Sequence, residues 1–237
     1  MAPLDDLLTL QTHDSAADRL RHRRTTLPER GELEARRAAL AELDVRRLET
    51  IERRDAELRE ERRLDDEVRS LEERAKAVDT KMYSGTVSSP KELQAMQADI
   101  DQLRRLARER EDEELDVLVR REALDVEVAE LEAAQAAVAA EIETLAAAIA
   151  DQEREIDAEL GVEESARAAL ASTIAEGTLR LYEQIRGGNR GVGAARLVGM
   201  NCQACHLGLP ATEVDRIRHL PADALARCEH CGAILVR

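Results

Sequence analysis

Apolar side chains recur along this chain at alternating intervals of three and four residues. Leu64, Val68, Leu71, Ala75, Val78 and Met82 follow a 4-3-4-3-4 rhythm, and Leu93, Met96, Ile100 and Leu103 follow 3-4-3. The rhythm returns at Leu124, Val128, Leu131, Gln135, Val138, Ile142, Leu145 and Ile149. Such spacing puts one apolar stripe on each helix, at the a and d positions of a coiled coil. Between the first two runs, Tyr83-Ser84-Gly85-Thr86-Val87-Ser88-Ser89-Pro90 breaks the pattern. Gly85 suits the left-handed backbone that ends a helix. Ser89, Pro90 and Glu92 stand in the order of N-cap, first helical residue and capping-box acid. A short loop between two heptad helices predicts an antiparallel hairpin, with residue i facing roughly residue 172 − i. From Pro90 to Leu160 an unbroken helix would run about 105 Å, which predicts a rod with its tip near 83–90.

The stripe is not apolar throughout. Carried back from Leu64, the first frame reaches Glu61, Glu57, Arg54, Thr50 and Arg47. Carried forward from Leu103, the second reaches Ala107, Arg110, Glu114, Val117 and Arg121. Ile51, Leu58, Leu115 and Leu118 lie off it. A stutter, where the helices shift register or bend, is expected there. The charged residues of this stretch either pair across the hairpin or face water. Leu27-Pro28 predicts a break that leaves residues 4–26 as a leading helix. A helix from about Ala166 to Arg186, carrying Leu170, Ile174, Leu181 and Ile185, is expected to pack near the hairpin base, with Gly161 and Gly177 as weak points. Gly187 to Gly193 reads as a Gly-rich linker and lacks the Gly-Lys-Ser/Thr of a phosphate loop. The expected fold is mainly α: an antiparallel coiled-coil hairpin over 1–186, a linker over 187–193, and a small second domain over 194–237. Strands are expected at Ala195–Val198 and Ile234–Val236, with a short helix at Ala211–Leu220.

Composition sharpens this picture. Ala, Glu, Lys, Leu and Arg make up 137 of 237 residues, and there is no Trp, no Phe and only two Tyr. That bias signals long helices around a narrow seam and argues against a barrel, a doubly wound sheet or a β-sandwich. The net charge of −15 is uneven: −3 over 1–84, −14 over 85–186 and +2 over 187–237. An acidic helical body repels nucleic acid and anionic membrane. Arg outnumbers Lys 32 to 3, a bias that GC-rich coding explains. No signal peptide or run of ~20 apolar residues is visible, so a soluble, cytoplasmic protein is expected, without a membrane partner.

The four cysteines carry the one recognisable chemistry. Cys202-Gln203-Ala204-Cys205 and Cys228-Glu229-His230-Cys231-Gly232 are two CxxC pairs with 22 residues between them. Each can form a knuckle aiming two sulfurs at one ion, and two knuckles complete a thiolate tetrahedron suited to Zn²⁺. In a reducing compartment such pairs more often bind metal than form disulfides. Four cysteine ligands leave no open position for water, so one structural Zn²⁺ per chain is expected, supplying much of the folding free energy of the last 51 residues. Iron in the same thiolate set stays open. Cys202 to His206 also fits the c-type haem pattern, but that leaves the second CxxC unexplained. His206 and His230 are expected to be exposed neighbours of the site.

The tip sequence Met82-Tyr83-Ser84-Gly85-Thr86, continuing to Ser89-Pro90-Lys91-Glu92-Leu93-Gln94, resembles that of a bacterial family of coiled-coil hairpin proteins with a C-terminal four-cysteine zinc ribbon. Leu181-Tyr182-Glu183 and the stretch from Cys228 to Arg237 are similar to it as well. The family usually carries Arg or Lys at the exit of the last knuckle, where this chain has Ala233. The resemblance implies a long antiparallel hairpin and zinc on Cys202, Cys205, Cys228 and Cys231. It implies no catalytic activity, and roles as adaptor or nucleic-acid binder.

Among functions, an enzyme is least supported, since five His and no nucleophile motif accompany a composition that builds no apolar pocket. A protein-binding adaptor or scaffold is favoured, with Met82, Tyr83 and Val87 as the tip's contact residues and the ribbon as a second surface. The sequence leaves open whether two copies associate. Nucleic-acid binding is the alternative, through Arg196, Arg216, Arg218 and Arg227. Against it, four thiolates around Zn²⁺ cancel the ribbon's +2, and the ribbon has no aromatic on which a base could stack. A hairpin that enters a polymerase channel would present acids at its tip, and Tyr83 to Pro90 has none.

Overall fold

The protein is described here by a computed structural model that covers residues 4–221 and 224–237. Residues 1–3 of the expected hairpin domain and 222–223 of the expected ribbon lie outside the described residues. The elements in order are α1 (Asp5–Thr25), α2 (Pro28–Tyr83), α3 (Pro90–Ala171), α4 (Glu176–Gly188), β1 (Ala194–Val198), β2 (Asn201–Cys202), α5 (Ala211–His219), β3 (Ala226–Arg227) and β4 (Ile234–Val236). Two compact units result: residues Leu33–Thr144, and residues up to Glu32 together with Leu145–Arg237.

The unit spanning Leu33–Thr144 is the antiparallel hairpin. Its heptad frame runs unbroken. On α2, Leu43, Arg47, Thr50, Arg54, Glu57, Glu61, Leu64, Val68, Leu71, Ala75, Val78 and Met82 are all buried or half-buried. On α3 the same holds at every frame position from Leu93 through Ala107, Arg110, Glu114, Val117 and Arg121 to Ile142. No frame position from Leu43 to the tip turns outward, so the burial shows no stutter. Of the off-frame apolar residues Leu115 is 61% exposed, while Ile51, Leu58 and Leu118 are half-buried beside the frame. The charged stretch keeps register because long side chains fill a seam with their stems while their heads pair at its edge. Arg121 Nη1 lies 2.6 Å from Glu61 Oε2. Arg110 reaches Glu67 at 3.2 Å, and Arg120 reaches Glu57 at 3.2 Å. Farther along, Arg36 meets Glu141 at 2.8 Å and Gln135 Nε2 donates to Asp44 at 2.5 Å.

These cross-arm partners have residue numbers summing to 177–182 rather than 172. Side chains on a helix lean toward its N-terminus, so in an antiparallel pair both partners lie C-terminal to the level at which they touch. The simple mirror about the loop omits that lean. At the tip, α3 begins at Pro90 as expected and Leu93 N–H donates to Ser89 O at 3.1 Å. Among the described residues the reciprocal Ser89–Glu92 side-chain bonds of a capping box do not form.

One seam position works against the hairpin. Burial, reinforced by Asp65, Glu61 and Glu111, raises the Glu114 carboxyl above the usual carboxylate range. A carboxyl raised on folding binds protons more tightly in the folded state, so its contribution worsens as pH rises through that value. Glu114→Gln is expected to stabilise the chain at neutral pH by about 0.5 kcal/mol, the scale of a removed like-charge pair. The gain should vanish at acid pH, where Glu114 is already neutral. Thermal melts of both proteins across pH check this.

The second unit joins the helix ends to a small sheet. The strand order is β2-β1-β4-β3. β1 pairs antiparallel with β2 and parallel with β4, and β3 pairs antiparallel with β4. Alternation along the strands gives the sheet two buried faces. Ala195, Leu235 and Ala226 pack with Val214 and Ile217 of α5 and with Cys202 and Cys228. Ala194 and Ile234 pack on the opposite side with Leu7 and Leu10 of α1, with Ile174, and with Tyr182 and Ile185 of α4. The break at Leu27-Pro28 is where expected.

The expected single helix from Ala166 to Arg186 is instead the end of α3 and the start of α4. Ser172 Oγ and Thr173 Oγ1 donate to the carbonyls of Ala169 and Leu170 at 2.7 Å each, and such local bonds compete with the helix. Gly161 leaves α3 intact. The α3 helix also contains an 18-residue window of mean hydropathy 1.3, long and apolar enough by composition to cross a membrane. Alanine dominates the apolar content of this helix.

Candidate metal centre

Two matching turns build the site. After Cys202, the N–H of His206 donates to Cys202 O at 2.8 Å. After Cys228, the N–H of Gly232 donates to Cys228 O, also at 2.8 Å. Both turns close on a residue with positive φ, His206 at 60° and Gly232 at 76°. Glycine adopts that backbone without steric cost, and His is among the side chains that tolerate it. His206 therefore serves this turn through its backbone. The four sulfurs of Cys202, Cys205, Cys228 and Cys231 lie within 4.8 Å of one another.

The sulfur spacing fits one specific ion geometry. Cys202 Sγ and Cys231 Sγ are 3.8 Å apart, as are Cys205 Sγ and Cys228 Sγ. A tetrahedron with ~2.3 Å Zn–S bonds has an edge of about 3.8 Å. None of the four is in a disulfide. Ala204 N–H points at Cys202 Sγ at 3.4 Å, the kind of amide contact that stabilises a thiolate. Neither histidine belongs to the cluster, and both are exposed.

Without a cation, Cys202 and Cys231 resist ionisation. Burial pushes Cys231 up to about 12 and raises Cys202, while the Leu207 amide lowers Cys205. Metal must displace these protons, so affinity falls with acid. Zinc is expected to leave the chain as pH drops, with ribbon unfolding following metal loss. Chromophoric zinc capture during acid titration measures this.

The four arginines expected as phosphate contacts do not form one patch. Register places Arg196 and Arg227 on the sheet face that also carries Ala194 and Ile234, whereas Arg216 and Arg218 lie on α5 across the sheet. Each is already engaged. Arg196 pairs with Asp5 at 2.8 Å, and Arg216 holds Glu213. Arg218 and Arg227 donate to the carbonyls of Gly199 and Gly232. In the hairpin unit, Tyr83 is 77% exposed, with Met82 and Val87 half-buried beside it. Ser84 Oγ donates to Lys81 O at 2.7 Å and lies 2.7 Å from Thr86 Oγ1, so the loop's own hydroxyls order it.

A polar cluster beside the ribbon was not evident in the sequence. Tyr182 is fully buried, and its hydroxyl donates to Asp14 Oδ2 at 2.7 Å. Burial and that contact hold the phenol well above its usual range. Arg167 Nε donates to Asp14 Oδ1 at 2.9 Å. Gln11 Oε1 accepts from the Gly193 amide at 2.6 Å, and Gln11 Nε2 donates to Gly191 O at 2.8 Å. The expected linker is thus fastened along its length, and α4 already includes Gly187 and Gly188. The sequence signals were a lone Tyr in a helix that precedes a glycine-rich stretch, and the likeness of Leu181-Tyr182-Glu183 to the family.

Known proteins match this architecture along its whole length. A family model for the CT398-like coiled-coil hairpin domain matches residues 10–190. A C4-type zinc ribbon domain model matches residues 201–235. Uncharacterized proteins from two strains of Mycobacterium tuberculosis are each 31% identical, covering 98% of this chain and 94% of their own. A solved structure from Mycobacterium smegmatis, 26% identical, superposes with a TM-score of 0.87 over 100% of this chain and 99% of that one. CT398 from Chlamydia trachomatis, 18% identical, gives 0.54 over 98% and 96%, and so shares the fold. HP0958 from Helicobacter pylori, 14% identical, gives 0.52 over 99% and 98%.

Proposed function

This chain belongs to the CT398-like coiled-coil hairpin family and carries a C4-type zinc ribbon, and from that premise we propose that it is a non-enzymatic adaptor. It engages protein partners through the hairpin tip, with the zinc ribbon as a second surface, in the cytoplasm. One observation carries the reading: Tyr83 stands 77% exposed on a loop ordered by its own hydroxyls. An aromatic held out to water on a pre-arranged loop offers contact area at low ordering cost. The zinc is structural, because four thiolates close its coordination sphere. Arg196, Arg216, Arg218 and Arg227 are spread over both sides of the ribbon's sheet, and carboxylates hold Arg196 and Arg216; that dispersal weighs against phosphate recognition.

Salt separates this reading from nucleic-acid binding. Phosphate binding loses orders of magnitude between ~50 and ~200 mM salt. The full chain is expected to bind random RNA or DNA poorly at physiological salt. Met82→Ala with Tyr83→Ala is expected to weaken a protein partner at least tenfold without unfolding the hairpin, because Tyr83 is exposed and Met82 is the last frame position of α2. Tight, salt-sensitive RNA binding that Arg216→Ala with Arg218→Ala abolishes, and that the tip changes leave alone, would overturn the proposal.

A further inference from the structure

All three lysines of the chain, Lys76, Lys81 and Lys91, fall within sixteen residues around the tip. All three are exposed, and among the described residues none lies within ion-pair distance of a carboxylate. Arginines of the same helices are divided. Arg63, Arg69 and Arg110 each hold two carboxylates, whereas among the described residues Arg59, Arg62, Arg74, Arg104 and Arg108 hold none, so what sets the tip apart is its lack of acids. From Thr80 to Lys91, twelve consecutive residues carry no acid, in arms otherwise dense with them. The tip is therefore a small unneutralised cationic cap on an acidic hairpin.

Local helix physics does not require these cations. Lys81 complements the negative C-terminal end of α2. Lys91, however, sits in the first turn of α3, where the helix dipole favours an acid and opposes a cation. Sequences break local preference chiefly at functional or strained sites. Lysine also suits a functional role here: its ammonium is a mobile point charge that adapts to a partner's carboxylates, without the planar fork of Arg.

Building on the adaptor reading, we infer that the tip docks onto an acidic patch of a partner protein. Lys76, Lys81 and Lys91 meet carboxylates at the rim, and Tyr83 with Met82 enters an apolar spot between them. Charge at the rim steers and orients the encounter, and the desolvated aromatic anchors it. A long polyanion fits less well, because it would have to run beside the hairpin arms over 33–144, whose net charge is −11. A compact acidic patch needs to approach the tip alone.

Zero-length carbodiimide coupling tests this directly. The reagent activates a carboxyl, and a lysine Nζ displaces the activating group as a urea to form an amide. Every side-chain amine of this chain is at the tip. The full-length, zinc-loaded chain is coupled in cell lysate and digested for mass spectrometry. Amides between Lys81 or Lys91 and Asp or Glu of one recurring partner are expected. Without coupling, the triple Lys→Gln variant should lose at least tenfold in capture of that partner, and triple Lys→Arg should keep it within threefold. Amides formed only within the chain, or capture that triple Lys→Gln leaves unchanged, would overturn the inference. If Met82→Ala with Tyr83→Ala still abolishes capture, the adaptor reading survives that failure. Capture indifferent to both sets of changes would remove both. Capture abolished by ribonuclease would assign the tip to nucleic acid and overturn the inference as well.

Discussion

Cys228→Ser is expected to release the zinc and unfold the ribbon while leaving most of the far-ultraviolet helical signal in place. Cys228 is buried, 3.8 Å from Cys205 across the thiolate set. Serine offers a poor ligand, and three thiolates cannot close the tetrahedron. The loss is large because the ribbon's strands are too short to stand alone: β2 and β3 have two residues each and β4 has three. Binding free energies of structural zinc reach about 10–16 kcal/mol at pH 7, and much of that is folding free energy. Elemental analysis gives zinc content, and proteolysis restricted to residues beyond Gly193 reports the unfolding. Zinc retained by the variant at one ion per chain would contradict the ligand assignment.

The second large effect is expected at Tyr182. Tyr182→Ala should cost about 3–5 kcal/mol, the range for truncating a buried aromatic. The cavity would open between Leu7, Leu10 and Ile234. Tyr182→Phe isolates the polar part. It keeps the ring but leaves Asp14, whose side chain is 5% exposed, without its hydroxyl donor, at an expected cost of about 1–3 kcal/mol. The ring also fixes the neighbouring chain. A Cβ added at Gly193 would stand 2.6 Å from it, so Gly193→Ala should destabilise the same unit. Denaturant unfolding monitored by far-ultraviolet circular dichroism distinguishes the three variants.

The heptads, the break at Leu27-Pro28, the loop at 83–90 and the two CxxC pairs were all legible in the sequence, because each is a local pattern with one dominant physical meaning. The seam between Arg47 and Arg121 misled in one respect. Apolar residues such as Leu115 drew attention off the frame, yet Arg121 and Glu61 fill it by pairing, and continuity of register prevails over local hydrophobicity. The split between α3 and α4 depended on the Ser172 and Thr173 hydroxyls, whose choice between solvent and backbone leaves no periodic trace. Strands of two residues carry no readable alternation, so β2 and β3 were missed. The Gln11–Asp14–Tyr182 cluster joins residues about 170 positions apart. Without the fold, each of these reads as an ordinary helix residue.

The most direct test of the account compares one partner's affinity for three forms of the full chain: unaltered, Met82→Ala with Tyr83→Ala, and Cys228→Ser. If the tip is the working end and the zinc is structural, the tip variant keeps its zinc and its folded hairpin but binds at least tenfold more weakly. The zinc-free form, with its hairpin intact, then binds within about threefold of the unaltered chain. Binding lost with the zinc and untouched at the tip would contradict the account and make the ribbon the recognition module.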